Sequence, residues 1–91
     1  MRKEGPDVER RDIPIEMISF CQGDGRLRPL RFRMADGTVV RVSRVDETRL
    51  LEAAGVTALL YFCRARVAGR ELRFQLRYLV KSHRWVLFEV G

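Results

Sequence analysis

The side chains best equipped for chemistry in this sequence are its arginines. Sixteen of the eighteen basic residues are Arg, and the chain contains no Asn. A guanidinium is permanently charged, forks onto two phosphate or carboxylate oxygens at once, and stacks on flat rings, which a lysine ammonium cannot do. A GC-rich coding sequence accounts for Arg over Lys but not for where the arginines fall. Residues 26–44 hold six Arg against Asp36, a local charge of +5, and residues 64–84 hold six Arg and Lys81 against Glu71, a local charge of +6. The first twelve residues cancel, with four basic and four acidic side chains, and Asp46, Glu47 and Glu52 outweigh Arg49 between the two blocks. The net charge of +6 is therefore concentrated in two stretches.

Other reactive residue types are sparse. Cys21, Cys63 and His83 are the only soft metal ligands, and they lie far apart, whereas a zinc site needs four donors. No metal or cofactor is expected. The two cysteines lack CxxC spacing, and Cys63 falls among apolar residues as an inert filler. Ser82-His83 has no orienting carboxylate beside it, so His83 reads as a turn residue rather than a base. Gly23-Asp24-Gly25 precedes a strand instead of a helix, which excludes a dinucleotide loop. These features point away from an enzyme and toward a binding module.

The elements that must position the arginines follow from the hydrophobic period. Leu72, Phe74, Leu76 and Tyr78 alternate with Arg73, Gln75 and Arg77, the period of two of a half-buried strand. Leu59, Tyr61, Cys63, Ala65 and Val67 alternate in the strand before it, and Ala68-Gly69 lies between as a two-residue turn. That loop pairs Ala65 with Leu72, Cys63 with Phe74, Tyr61 with Leu76 and Leu59 with Tyr78. A slip by one would set core against charge. Ala in the first turn position suits the primed turns poorly. In the first block, Leu30, Phe32 and Met34 alternate with Arg31 and Arg33, and Val40 and Val42 with Arg41 and Ser43. A three-residue loop Ala35-Asp36-Gly37 with left-handed Gly37 sets Phe32 opposite Val40 and Leu30 opposite Val42.

Residues 13–21 read as another strand, with Pro14 confining its start to an edge. Residues 22–25 read as a flexible connection, and 84–90 as the last strand after a tight turn within 81–83. The inward side of that last strand is left open between Trp85 with Leu87 and Val86 with Phe88 and Val90. Residues 46–54 break the period of two. Asp46 can cap a helix, Leu50, Leu51 and Ala54 form an apolar side, and Gly55 can end it. The expectation is an all-β fold, mainly β with one short helix: a small six-stranded antiparallel barrel or roll with the helix docked over an open end.

These registers aim specific side chains outward. Arg64 lies opposite Arg73, Phe62 opposite Gln75, Leu60 opposite Arg77, and Arg31 opposite Arg41. Like charges directly opposed destabilise a sheet by ~0.2–1 kcal/mol, so an anion or acidic groups from elsewhere should sit between them. Arg31, Arg33, Arg41, Arg64, Arg73 and Arg77 are the candidate contacts to phosphate or to an acidic partner, with Phe62 as a stacking platform. Three readings stay open. The arginines can simply solvate strand faces, with Glu16, Asp46 or Glu89 neutralising some of them. They can bind RNA or DNA through its phosphates. Or the outward Leu60, Phe62 and Leu79 can serve a protein–protein contact or a small oligomer.

Ninety-one residues suffice for one domain, expected over residues 13–91 behind a mobile charged leader at 1–12. No apolar run approaches the ~18 residues that span a bilayer, and the charged start lacks a signal-peptide core, so a cytoplasmic location and no membrane association are expected. The run Gly25-Arg26-Leu27-Arg28-Pro29-Leu30-Arg31-Phe32-Arg33, followed by Leu76-Arg77-Tyr78 and Trp85-Val86-Leu87-Phe88, resembles short single-domain bacterial proteins of uncharacterised function. There a Gly-x-x-x-Pro-Leu-x-Phe stretch opens the domain and a Trp-x-Leu stretch closes it. The resemblance covers residues 17–90 and implies a free-standing bacterial domain, with no activity or cofactor attached to it.

Overall fold

Alternation of apolar and arginine-rich positions produces strands throughout. The computed structural model of the protein describes the backbone of residues 9–90 and the side chains of residues 12–88. In chain order the strands are β1 (Glu9–Pro14), β2 (Glu16–Cys21), β3 (Leu27–Arg33), β4 (Val39–Arg41), β5 (Arg44–Ala53), β6 (Val56–Val67), β7 (Arg70–Leu79) and β8 (Arg84–Val90). They form two antiparallel sheets, a five-stranded one in the order β1-β8-β7-β6-β5 and a three-stranded one in the order β2-β3-β4. Residues 9–12, assigned to the leader by sequence, belong to β1; the rest of that stretch lies outside the described residues.

The β6–β7 ribbon has the register that its alternation demands. Ala65 faces Leu72, Cys63 faces Phe74, Tyr61 faces Leu76 and Leu59 faces Tyr78. Phe32 faces Val40 and Arg31 faces Arg41 in the smaller sheet. The loop between β3 and β4 closes with Met34 N–H donating to the Thr38 carbonyl and Gly37 N–H to the Met34 carbonyl, with Gly37 left-handed at φ 93°. The segment before β3 repeats this device. Gln22 N–H donates to the Arg26 carbonyl, Gly25 N–H to the Gln22 carbonyl, and Asp24 accepts the Arg26 N–H at 3.0 Å, as Asp36 accepts that of Thr38 at 2.9 Å. Both aspartates are thereby held below the usual carboxylate range, with the backbone N–H bond as the main cause.

The core lies between the sheets. Phe32 and Val40 from the small sheet pack on Tyr61, Cys63, Ala65, Phe74, Leu76 and Leu87 from the large one. Phe32 meets Phe74 edge-to-face across the interface, with ring centroids 5.6 Å apart. Trp85 and Leu87 turn inward, where Trp85 stacks against Tyr61 and Tyr78, and this settles the face of β8.

Three expectations are corrected. There is no short helix over residues 46–54: the stretch is the edge strand β5 and its turn. The register shifts between Val45 and Glu47, so Asp46 is an extra, bulged residue. Beyond it, Thr48 and Leu50 face Tyr61 and Leu59, while Glu47, Arg49 and Leu51 take the other side. The bulge breaks the period of two and mimics a helical spacing. A nine-residue helix is marginal alone, whereas β6 offers this segment an unpaired edge. The architecture is also not a six-stranded barrel or roll, because the sheets do not close on one another. Finally, residues 13–21 are not one strand. The chain leaves the large sheet after Pro14, which lies on the edge strand β1 as its ring requires, and enters the small sheet at Glu16. The reverse transfer occurs at Val42-Ser43, where Val42 N–H donates to Leu30 and Ser43 N–H to Arg64. Two such corners fold the small sheet over the inner face of the large one.

Both long hairpins turn on Ala-Gly. Ala54 and Gly55 have φ of 52° and 80°, and Ala68 and Gly69 have φ of 51° and 77°. A left-handed Ala costs about 1–2 kcal/mol, which Asn tolerates better in this turn type. Ala54→Asn and Ala68→Asn should each stabilise the protein by about 0.5–1 kcal/mol, read as a higher urea midpoint at unchanged m.

Candidate nucleic-acid interface

The arginines divide between two surfaces. Because the inner faces of both sheets share one core, their outer faces point away from each other. Arg31, Arg33 and Arg41 stand on the outside of the small sheet; Arg64, Arg73, Arg77 and Phe62 stand on the outside of the large one. The two blocks do not form a single continuous site.

On the large sheet the arginines are mostly answered from within. Register sets Arg44 opposite Arg64 and Arg64 opposite Arg73, three guanidinium-bearing positions in one row. The Asp46 bulge relieves the row, accepting from Arg64 Nε at 2.7 Å and pairing with Arg44 Nε at 3.1 Å. Glu71 adds a contact to Arg64 at 3.5 Å. The Asp46 hydrogen bond and charge, assisted by Glu71, raise the Arg64 pKa above its ordinary value. Arg77 donates to Gln75 at 2.9 Å, and its guanidinium lies 3.4 Å from the centre of the Phe88 ring. Phe62 is half-buried with the Arg49 guanidinium 5.5 Å above it, and Arg49 is itself held by Glu47. Arg73 is exposed with no ion pair among the described residues.

The small sheet is different. Arg33 donates through Nε to Glu16 at 2.8 Å. Arg31 and Arg41 face each other directly, both exposed, and neither has a carboxylate partner among the described residues. Arg28, which the sequence reading did not select, sits across from Phe20 on the same face and is likewise unpaired among the described residues. Four arginines against Glu16 leave this small face at +3. Between them stand Ile18, Phe20, Leu30 and Val39, exposed by 51, 56, 41 and 54%. An open depression of about 460 Å³ is lined by Ile18, Arg31, Arg33 and Val39 among others.

Phe20 and Ile18 escaped detection because β2 carries apolar side chains on both faces. Met17 packs on the core while Ile18 and Phe20 face out. Only pairing with β3, where Ile18 meets Arg31 and Phe20 meets Arg28, reveals which side is which. Leu30 is the bulge residue of that pairing, so it turns outward instead of packing inside as alternation predicts.

The remaining reactive groups are dispersed. Cys63 is buried, and burial, seconded by the Asp46 charge, pushes its thiol up to about 12. Cys21 is exposed on β2, and His83 Nδ1 shares a 2.9 Å hydrogen bond with the Tyr78 hydroxyl. Among the described residues no three of His, Cys, Asp and Glu converge as metal ligands, and no helix is long and apolar enough to cross a membrane. Comparison with protein families, curated proteins and solved structures returns no match to this chain.

Two outcomes test this description. Asp46→Ala should destabilise the protein in low salt and do so less in 1 M NaCl, where the Debye length of about 3 Å screens the arginine row; urea unfolding at both salts measures the difference. In native protein a thiol reagent should label Cys21 promptly and Cys63 only after denaturant is added, as mass spectrometry of timed samples will show.

Proposed function

We propose that the protein is a non-catalytic module that binds nucleic acid, holding phosphates on the outer face of the three-stranded sheet. One observation carries this reading. Three arginine pairs stand directly opposed, Arg44–Arg64, Arg64–Arg73 and Arg31–Arg41, and they are resolved differently. Arg64 and Arg73 have the carboxylates of Asp46 and Glu71 beside Arg64, whereas Arg31 and Arg41 have none among the described residues. Opposed like charges are unfavourable in the free protein and become favourable once an anion bridges them. A guanidinium on each of two adjacent strands suits the closely spaced charges of a phosphate backbone.

Arg31, Arg41 and Arg28 are the contacts, Arg33 is held in place by Glu16, and Arg73 and Arg77 belong to the opposite side. Phosphate contacts of this kind position the ligand without reading sequence. A second reading, docking of an acidic protein surface, is favoured by the aliphatic Ile18, Leu30 and Val39. Apolar centres rimmed by arginine are common in protein interfaces.

A salt titration with a labelled RNA oligonucleotide tests the proposal. Affinity should fall steeply with salt. Arg31→Ala and Arg41→Ala should each weaken binding several-fold and lower the slope of log K against log salt by about one, while Arg64→Ala should leave binding within about twofold. Absence of binding at 20 mM salt, or equal losses from Arg64→Ala and Arg31→Ala, rejects it.

A further inference from the structure

The aromatic side chains are almost all accounted for by one another or by arginine. Phe32 packs on Phe74; Tyr61, Tyr78 and Trp85 form one inward cluster; Phe62 lies under Arg49 and Phe88 under Arg77. Phe20 alone, among the described residues, has a ring that neither core nor cation covers. It stands at the end of β2, 56% exposed, directly across from Arg28 and one outward position along from Ile18, which faces Arg31.

Strand geometry sets the scale of this arrangement. Neighbouring strands lie about 4.8 Å apart, and successive outward residues on one strand about 6.5–7 Å apart. Arg28 therefore stands one strand spacing from Phe20, and Arg31 one strand spacing from the next outward residue, Ile18, so that all three positions fall within about the span of one nucleotide. Among the described residues the three-stranded sheet carries no helix that could enter a groove. In a duplex the flat faces of the bases are stacked on each other and only their edges line the grooves. A ring lying on a sheet can reach a base face only when that base is unpaired.

Resting on the nucleic-acid reading above, we infer that the ligand is single-stranded and that Phe20 is the platform on which an unpaired base stacks, while Arg28, Arg31 and Arg41 hold the phosphates on either side. Every base offers a π-face, so the preference is for strandedness and not for sequence. The same chemistry serves RNA and DNA single strands.

The experiment compares a twelve-nucleotide oligouridine, the corresponding oligodeoxythymidine and a twelve-base-pair DNA duplex, each end-labelled, against wild type, Phe20→Leu, Phe20→Trp and Arg31→Ala. Single strands should bind at least ten times more tightly than the duplex. Phe20→Leu should lose roughly tenfold on single strands and nothing on duplex, and Phe20→Trp should restore the wild-type affinity. Circular dichroism verifies that these exposed substitutions leave the fold intact. Equal affinity for single strand and duplex, or single-strand binding unchanged by Phe20→Leu, overturns the inference; if Arg31→Ala still weakens both ligands, the nucleic-acid reading survives it. No binding of any oligonucleotide at 20 mM salt removes both. Self-association or acidic-protein binding that Phe20→Leu relieves, without oligonucleotide binding, overturns the inference in favour of protein docking.

Discussion

The register of the β6–β7 ribbon is the constraint on which the rest depends. Ten consecutive pairs join these strands, and five of their inward members, Tyr61, Cys63, Ala65, Phe74 and Leu76, are buried in the core. Because side chains alternate strictly, shifting one strand by a single residue would carry Arg64 or Arg73 into that core. The penalty for burying an unpaired guanidinium exceeds anything a local contact could return. Once this ribbon is set, β5 and β8 can add only at its two edges, and the small sheet can dock only on the apolar side. The Phe32–Phe74 contact marks that docking.

A sheet that must place every charge on its outer face then has a charge problem there. With sixteen arginines in the chain, cross-strand neighbours of like sign are unavoidable. The fold answers in three ways. Asp46 is pushed out by a bulge to bridge Arg44 and Arg64. Arg77 and Arg49 lie over Phe88 and Phe62, which covers apolar rings and spreads the charge over their π-faces. Arg33 takes Glu16 from the neighbouring strand. The opposed pair that these devices leave unanswered lies on the small sheet, where Arg31 and Arg41 confront each other beside exposed apolar groups. A surface that stays both cationic and apolar after internal pairing is one on which an external partner gains the most by binding.

Irregularities carry much of this arrangement. The β2–β3, β5–β6 and β7–β8 pairings each contain one register shift, and each displaces one residue from the paired ladder: Leu30, Asp46 and Phe88. In each case the displaced residue joins the outer face and takes part in its chemistry, as exposed apolar surface, as counter-ion or as a cushion for Arg77.

What the amino-acid order determined alone is whatever rests on an unbroken period of two. The four inward pairs of β6 and β7, the Gly37 loop, the Arg31–Arg41 and Arg64–Arg73 oppositions and the edge position of Pro14 follow from neighbours a few residues apart, since the backbone leaves side chains only two directions in a strand. The tertiary structure alone decided the rest. Residues 46–54 became a strand because β6 presented an open edge to them, something no local spacing records. Residues 13–21 divided between two sheets because Ile15 binds the Trp85 carbonyl while Met17 pairs with Phe32, partners seventy and fifteen residues away. Whether Arg33, Arg64 or Arg77 is free or answered depends on a carboxylate or a ring brought in from another strand. That is why Arg31 and Arg64, alike in sequence context, end in opposite electrostatic states.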